Sequence, residues 1–193
     1  LQLGGTDNTF EAICFDNSAL GVLQDEFKPS VKVPGAGIVG LGNAANCAIR
    51  QYSGAGLTVR DCRGIEFHTV VGYIGDYTDD QVLSGTVVVD DLHADGCVFG
   101  LLAEQPEHYR YVNSSYINGI NAANASGSPS LTDPGHGVYI ANRTGANPLS
   151  GLVDEINGEN NQSFTVKVRK GVNPVISNVT VTNSHRGITV ENC

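Results

Sequence analysis

Asp90, Asp91 and Asp95, with His93 among them, form the densest group of ionisable side chains beside an apparent strand in this chain of 193 residues. Two carboxylates placed across a sugar cut a glycosidic bond, about 5 Å apart for retention and about 6.5–9.5 Å apart for inversion. Asp90 and Asp91 follow the apolar run 87–89, so strand alternation sends one of them outward, where His93 would tune or assist it. The competing role for Asp91 and Asp95 is turn capping. His136, Tyr139 and Arg143 suit a different reaction, elimination, which needs a base for the proton beside a carboxylate and a cation for the resulting enolate. His185 with Arg186 is a second such pair, and His68 shares strand parity with Glu66. Glu104, Glu107, Tyr109 and Tyr111 are candidate substrate contacts, the tyrosines by stacking on sugar rings. Asp76, Asp79 and Asp80 gather on one loop the hard oxygen ligands that calcium takes. No other cofactor or metal-ligand set is visible, and whether the chain is an enzyme stays open between hydrolysis, elimination and binding alone.

The elements that would carry these residues are short. Runs such as Gly56-Leu-Thr-Val, Gly64-Ile-Glu-Phe, Thr86-Val-Val-Val and Gly187-Ile-Thr-Val are strand-sized, rich in β-branched residues and ended by Asn, Gly or Asp turns. A strand, a polar turn and a Gly-led strand recur in about ten residues, so two or three strands make a coil of roughly 20–30 residues, a solenoid period. Coils stacked about 4.8 Å apart share one interior that no single coil could bury. Asn at the corners tolerates the turn conformations and can bond coil to coil. The predicted fold is therefore all-β, a right-handed parallel β-helix over residues 31–193. Residues 1–30 read as an irregular N-terminal capping segment with a short helix over 17–27. Asp95-Gly96, Asn118-Gly119 and Asn157-Gly158 keep an antiparallel sandwich as the alternative, since such pairs close hairpins. Breaks in the rhythm at 73–81, 101–109 and 121–136 read as insertions, which in solenoids gather on one face.

The formal net charge is −9, from 20 Asp and Glu against 11 Lys and Arg, which disfavours a nucleic-acid partner. No apolar stretch approaches the roughly 20 residues of a membrane span. Five widely spaced cysteines form no zinc or redox pair, and three of them sit in apolar surroundings as buried thiols. The chain reads as a piece of a longer one.

The units Asp91-Leu-His-Ala-Asp-Gly-Cys-Val-Phe99 and Asn183-Ser-His-Arg-Gly-Ile-Thr-Val190 resemble the coils of the pectin-lyase-like superfamily. The resemblance covers residues 31–193 and is one of style. The Asn-Thr-Asp motif of polygalacturonases and the Tyr-Gly-x-Asp-Pro-His pattern of uronan epimerases are not matched. Among the branches, the chain is most similar to bacteriophage tailspikes. That resemblance implies an acidic or complex polysaccharide as partner, a homotrimer, an extracellular or virion-surface location, and recognition with depolymerisation. The alternatives are a secreted polysaccharide lyase or glycoside hydrolase, and a non-catalytic rod segment of a fibre.

Overall fold

The computed structural model describes residues 2–3, 6–16, 32–33, 37–38, 47–51, 55–74, 84–104, 106–121, 135–141, 150–162, 164–171 and 173–193, with the backbone alone at 2–3, 6–7, 10–16, 32–33, 37–38, 47 and 84. They form β1 (Gln2–Leu3), β2 (Thr6–Asp16), β3 (Lys32–Val33), β4 (Gly37–Ile38), β5 (Cys47–Gln51), β6 (Ala55–Ile65), β7 (Thr69–Tyr73), β8 (Ser84–Asp95), β9 (Phe99–Glu104), β10 (His108–Ile117), β11 (His136–Ala141), β12 (Ser150–Glu159), β13 (Phe164–Arg169), β14 (Val175–Thr182) and β15 (Arg186–Glu191). Sheet A runs β1-β5-β7-β9-β11-β13-β15 and sheet B runs β2-β6-β8-β10-β12-β14. All pairings in both sheets are parallel. From β5 onward the chain alternates between the sheets and climbs one strand per coil. This is a parallel β-helix, right-handed as parallel crossovers are.

The sandwich alternative fails on topology. Among the described residues the one antiparallel pair is the short β3–β4. Asp95-Gly96 and Asn118-Gly119 carry the chain from sheet B to sheet A, and Asn157-Gly158 lies inside β12. Val87 rests on Tyr109 and Val153 on Ile176, so a bare coil takes 22 or 23 residues. The coil from Val87 to Tyr109 is among these, so 101–109 is no insertion: it holds the end of β9, a short connection and the start of β10. Residues 6–16 already pair with β6, ahead of the boundary expected at residue 30. The helix expected over 17–27 lies outside the described residues.

Left-handed residues make the corners. Asp61, Asp91, Asn113, Glu155 and Asn178 have φ between 47° and 58°, and lie one above another. Glu66, Gly96, Asn118, Asn160 and Asn183 form a second column with φ between 48° and 64°. Asn and Asp reach this region at least cost among residues with a Cβ. The first corner shifts the alternation by one residue, so Leu57 and Val59 face inward, and then Cys62 and Gly64. A corner also turns the next N–H out of the ladder, and a buried N–H needs a partner. The side chain one coil above supplies it. Leu92 N donates to Ser114 Oγ, Phe67 N to Cys97 Sγ, Gly119 N to Asn161 Oδ1, Asn161 N to Ser184 Oγ and Gly171 N to Cys193 Sγ. In every case the accepting residue directly follows a left-handed one. Cys97 and Cys193 are thus corner acceptors. Both are free thiols, as is Cys62.

The interior is built from columns such as Val59-Val89-Tyr111-Val153-Ile176 in sheet B and Val71-Leu101-Val138-Val166-Ile188 in sheet A. Burying one such side chain contributes about 1.5–3 kcal/mol, against about 0.5–1.5 kcal/mol for a corner hydrogen bond. The columns therefore hold the stack, and the corners decide where it bends. Where the sheets meet, three coils oppose a glycine to a larger residue. A Cβ on Gly64 would lie 2.4 Å from Val70, one on Gly137 2.8 Å from the Tyr116 ring, and one on Gly158 2.2 Å from Thr165 Oγ1.

Three tyrosines of β10 enter this interior with different satisfaction. Tyr116 Oη donates toward Cys97 O (3.0 Å) and Val98 O (2.8 Å). The hydroxyls of Tyr109 and Tyr111 are buried and have no hydrogen-bond partner among the described residues, and burial, with the Cys193 thiol adding to it, pushes the Tyr109 phenol up to about 12. Removing an unsatisfied buried hydroxyl relieves a desolvation cost of about 1–3 kcal/mol. Tyr111→Phe is accordingly expected to leave stability unchanged or raise it by about 1 kcal/mol, and Tyr116→Phe to lower it by about 1 kcal/mol or more. Urea midpoints compare them, and a loss in Tyr111→Phe as large as that in Tyr116→Phe contradicts this account.

Candidate functional site

Sheet A carries side chains on its outer face as well as its inner one. The residue after each first strand position turns inward (Val70, Gly100, Gly137, Thr165, Gly187), so the first position points out. Thr69, Phe99, His136, Phe164 and Arg186 therefore align up the outside of the solenoid, with Leu102, Tyr139, Lys167 and Thr189 beside them. The rings stack. Phe99 and His136 centroids are 5.6 Å apart at 15°, and His136 and Phe164 are 5.1 Å apart at 3°. Tyr139 packs beside His136 at 4.9 Å. The guanidinium carbon of Arg186 lies 4.9 Å over Phe164, and Lys167 Nζ lies 5.4 Å from the same ring and 5.8 Å from Tyr139.

The column passes from buried to open. Phe99 is 2 % exposed and His136 4 %, over an outer apolar cluster of Ile74, Val98, Phe99, Leu102 and Ile120. Tyr139, Phe164 and Lys167 are half-buried, and Arg186 is exposed. Burial, followed by the charges of Lys167 and Arg186, pushes the His136 imidazole from 6.5 down to about 3, so the ring is neutral at pH 7. Neither of its nitrogens has a hydrogen-bond partner among the described residues. Glu191 Oε1 pairs with Lys167 Nζ at 3.0 Å and its Oε2 lies 3.8 Å from Arg169 Nε. The Arg186 guanidinium makes no hydrogen bond or ion pair among the described residues; its contact is the Phe164 ring.

The candidate residues fall on two faces. His136, Tyr139 and Arg186 belong to this column on sheet A. Arg143 lies outside the described residues. His185 is exposed in the turn before β15, where its N donates to Asn161 O. Asp90, Asp91, His93 and Asp95 lie on β8 in sheet B. Asp90 accepts from Asn113 Nδ2 at 2.8 Å and Asp95 from Asn118 Nδ2 at 2.9 Å, and Asp91 is a left-handed corner. His93 Nδ1 meets Ser115 Oγ at 2.5 Å. Asp154 repeats the pattern: the Ser177 hydroxyl and the Asn178 amide hold its carboxyl below the usual range. These carboxylates therefore join one coil to the next. Asp90 and Asp95 lie on opposite sides of the left-handed corner at Asp91, and each is already taken up by an amide of the coil above.

Tyr109 and Tyr111 are corrections. Both face the interior at 2 % and 0 % exposure, so no sugar stacks on them. Glu104 is buried at the end of β9, and Glu107 N donates to Gly85 O in the turn before β10. The calcium expectation is also overturned. Among the described residues no three His, Cys, Asp or Glu side chains gather to hold an ion, and Asp76, Asp79 and Asp80 lie outside them. No described helix is long and apolar enough to cross a membrane.

Phe99, Phe164, Lys167 and Glu191 were missed. Their signal was in the sequence: Phe99-Gly, His136-Gly, Phe164-Thr and Arg186-Gly each precede an apolar strand. Aligning the strands on the residue before the inward one, not on the Gly itself, reveals the column. No family model, curated protein or solved structure matches the chain.

Proposed function

We propose that this chain is a polysaccharide-recognising β-helix that binds an acidic or complex polysaccharide along the outer face of sheet A. The observation that carries this reading is the ring column, which rises through successive coils and ends at the solvent under Arg186. Parallel solenoids offer extended surfaces to extended ligands. The half-buried Tyr139 beside the column offers apolar area to a sugar, and the charged neighbours supply orientation. Lys167, Arg169, Lys170 and Arg186 fall within 20 residues of one another and make up four of the chain's 11 Lys and Arg, which makes this end locally cationic on a chain of net charge −9.

The geometry favours recognition over cleavage. The column contains no pair of carboxylates, and the neutral imidazole of His136 is buried beneath Phe164. An elimination reading draws its support from that same neutral, unpartnered ring beside two cations. A tailspike-like homotrimer at an extracellular or virion surface is part of the proposal and rests on the resemblance of the coils. The test is a panel of bacterial capsular and uronic-acid polysaccharides, read by affinity electrophoresis and then for unsaturated products and new reducing ends. Retardation by acidic polymers without new ends or ultraviolet absorbance is the expected result. Absorbing products would establish elimination instead. A chain that no polymer retards is not a glycan-binding solenoid.

A further inference from the structure

Phe164 offers a sugar no open face. One side of its ring lies against His136 at 3°, and the other lies under Arg186. The column therefore presents to the solvent not an aromatic plane but a guanidinium seated over one. The neighbouring cations are engaged: Glu191 bridges Lys167 and Arg169, while among the described residues Arg186 is engaged by nothing beyond the ring.

We propose that Arg186 is the anion-recognising residue of this surface, and that Glu191 is an internal stand-in which holds Lys167 and Arg169 until an anionic group of the ligand displaces it. The proposal rests on the polysaccharide reading above and specifies its charge chemistry. A guanidinium fork takes carboxylate, sulfate or phosphate oxygens through paired N–H donors, and the stacked ring fixes the fork before the ligand arrives. Holding the fork in place reduces the side-chain entropy lost on binding. Lys167 sits over the same ring, so an anion seated on Arg186 comes within reach of its ammonium once Glu191 yields. The chain's net charge of −9 repels a polyanion in general, so any attraction must be local.

Dextran, carboxymethyl dextran and dextran sulfate share one backbone and differ in charge, so they separate the sources of the anion. Titration of each into the full chain at low salt is expected to show binding to one or both charged polymers and weak binding or none to dextran. Arg186→Ala should weaken the charged interaction about tenfold or more. Phe164→Leu, which keeps the charge and removes its platform, should weaken it severalfold. Glu191→Gln should tighten it. Arg110→Ala, on the outer face of sheet B, should change it little. Circular dichroism melts confirm that the variants fold. Charged-polymer binding that is indifferent to Arg186→Ala, weakened by Glu191→Gln, or matched by dextran overturns this inference and leaves the polysaccharide reading standing. Failure of all three polymers and of the capsular panel overturns both.

Discussion

Gly64→Ala is expected to destabilise the fold by about 2–3 kcal/mol, the cost of forcing a methyl into a filled core, and Val70→Ala in the same chain should restore part of that loss. The added Cβ would sit 2.4 and 2.5 Å from the two methyls of Val70, and its three nearest neighbours are all atoms of that side chain. Val70 is fully buried and cannot swing into solvent. Truncated alone, Val70 leaves a cavity; combined with Gly64→Ala, it vacates the volume the new methyl needs. A double-mutant cycle on urea midpoints should therefore give a coupling above about 1 kcal/mol. Gly187→Ala is the internal control. It occupies the place of Val70 in the last coil, across the same seam from Val181, the counterpart of Gly64, and its Cβ would meet only Val181 Cγ2 at 3.8 Å, an ordinary contact. It is expected to be neutral or slightly stabilising, through reduced freedom of the unfolded chain. Additive single-variant losses at Gly64 and Val70 would show that the two sheets do not meet through paired volumes.

That pairing explains why the fold was legible and its register was not. Asn and Asp at φ near 50° recur at intervals that any reader of turn signals detects, because few other residues accept that region. The β-branched runs between them mark strands. What the alternating pattern hides is the shift at each corner, where two successive inward residues are three apart instead of two, as Val59 and Cys62 are. A strict period of two therefore places Tyr109 and Tyr111 outside when they are inside, and gives no hint that Phe99 and Phe164 are outside. Volume is shared across coils in the same way. Gly137 opposes Tyr116, 21 residues earlier, because residues 122–134 intervene, and no local window relates them.

The acidic residues were legible as polar and misleading as chemistry. Asp90, Asp95 and Asp154 each precede a corner and accept an amide from the coil above, so their density reflects the repeat. A charge cluster on a solenoid can arise from stacking alone, once per coil, whereas a site must combine residues that the repeat does not require. The Phe99–His136–Phe164–Arg186 column meets that standard. The repeat does not require rings or a cation at these outward positions, as Thr69 shows in the same column, yet it holds them.

His136→Phe should flatten the acid limb of stability without loss of polymer binding. The imidazole is held neutral in the folded chain down to about pH 3, by burial first and then by Lys167 and Arg186. In the unfolded chain it takes up a proton near pH 6.5. The unfolded state therefore binds more protons between these values. The contribution of this ring to stability is complete above pH 6.5 and is lost as pH falls toward 3, at up to about 1.4 kcal/mol per pH unit. By pH 4.5 the variant should be more stable than the parent, relative to their difference at pH 7, by about 2–3 kcal/mol. Carboxylates such as Asp154 also lose stability in acid, but they do so in both chains and cancel from the comparison. Urea midpoints at pH 7, 5.5 and 4.5 measure the gap, and parallel profiles would mean that the ring is hydrated and protonates freely. The same variant separates the two roles open to His136. As a neutral spacer between Phe99 and Phe164 it is replaceable by another flat ring, because what Arg186 requires beneath it is the face of Phe164. As the base of an elimination it is not replaceable, and Phe would abolish any unsaturated product while binding persists.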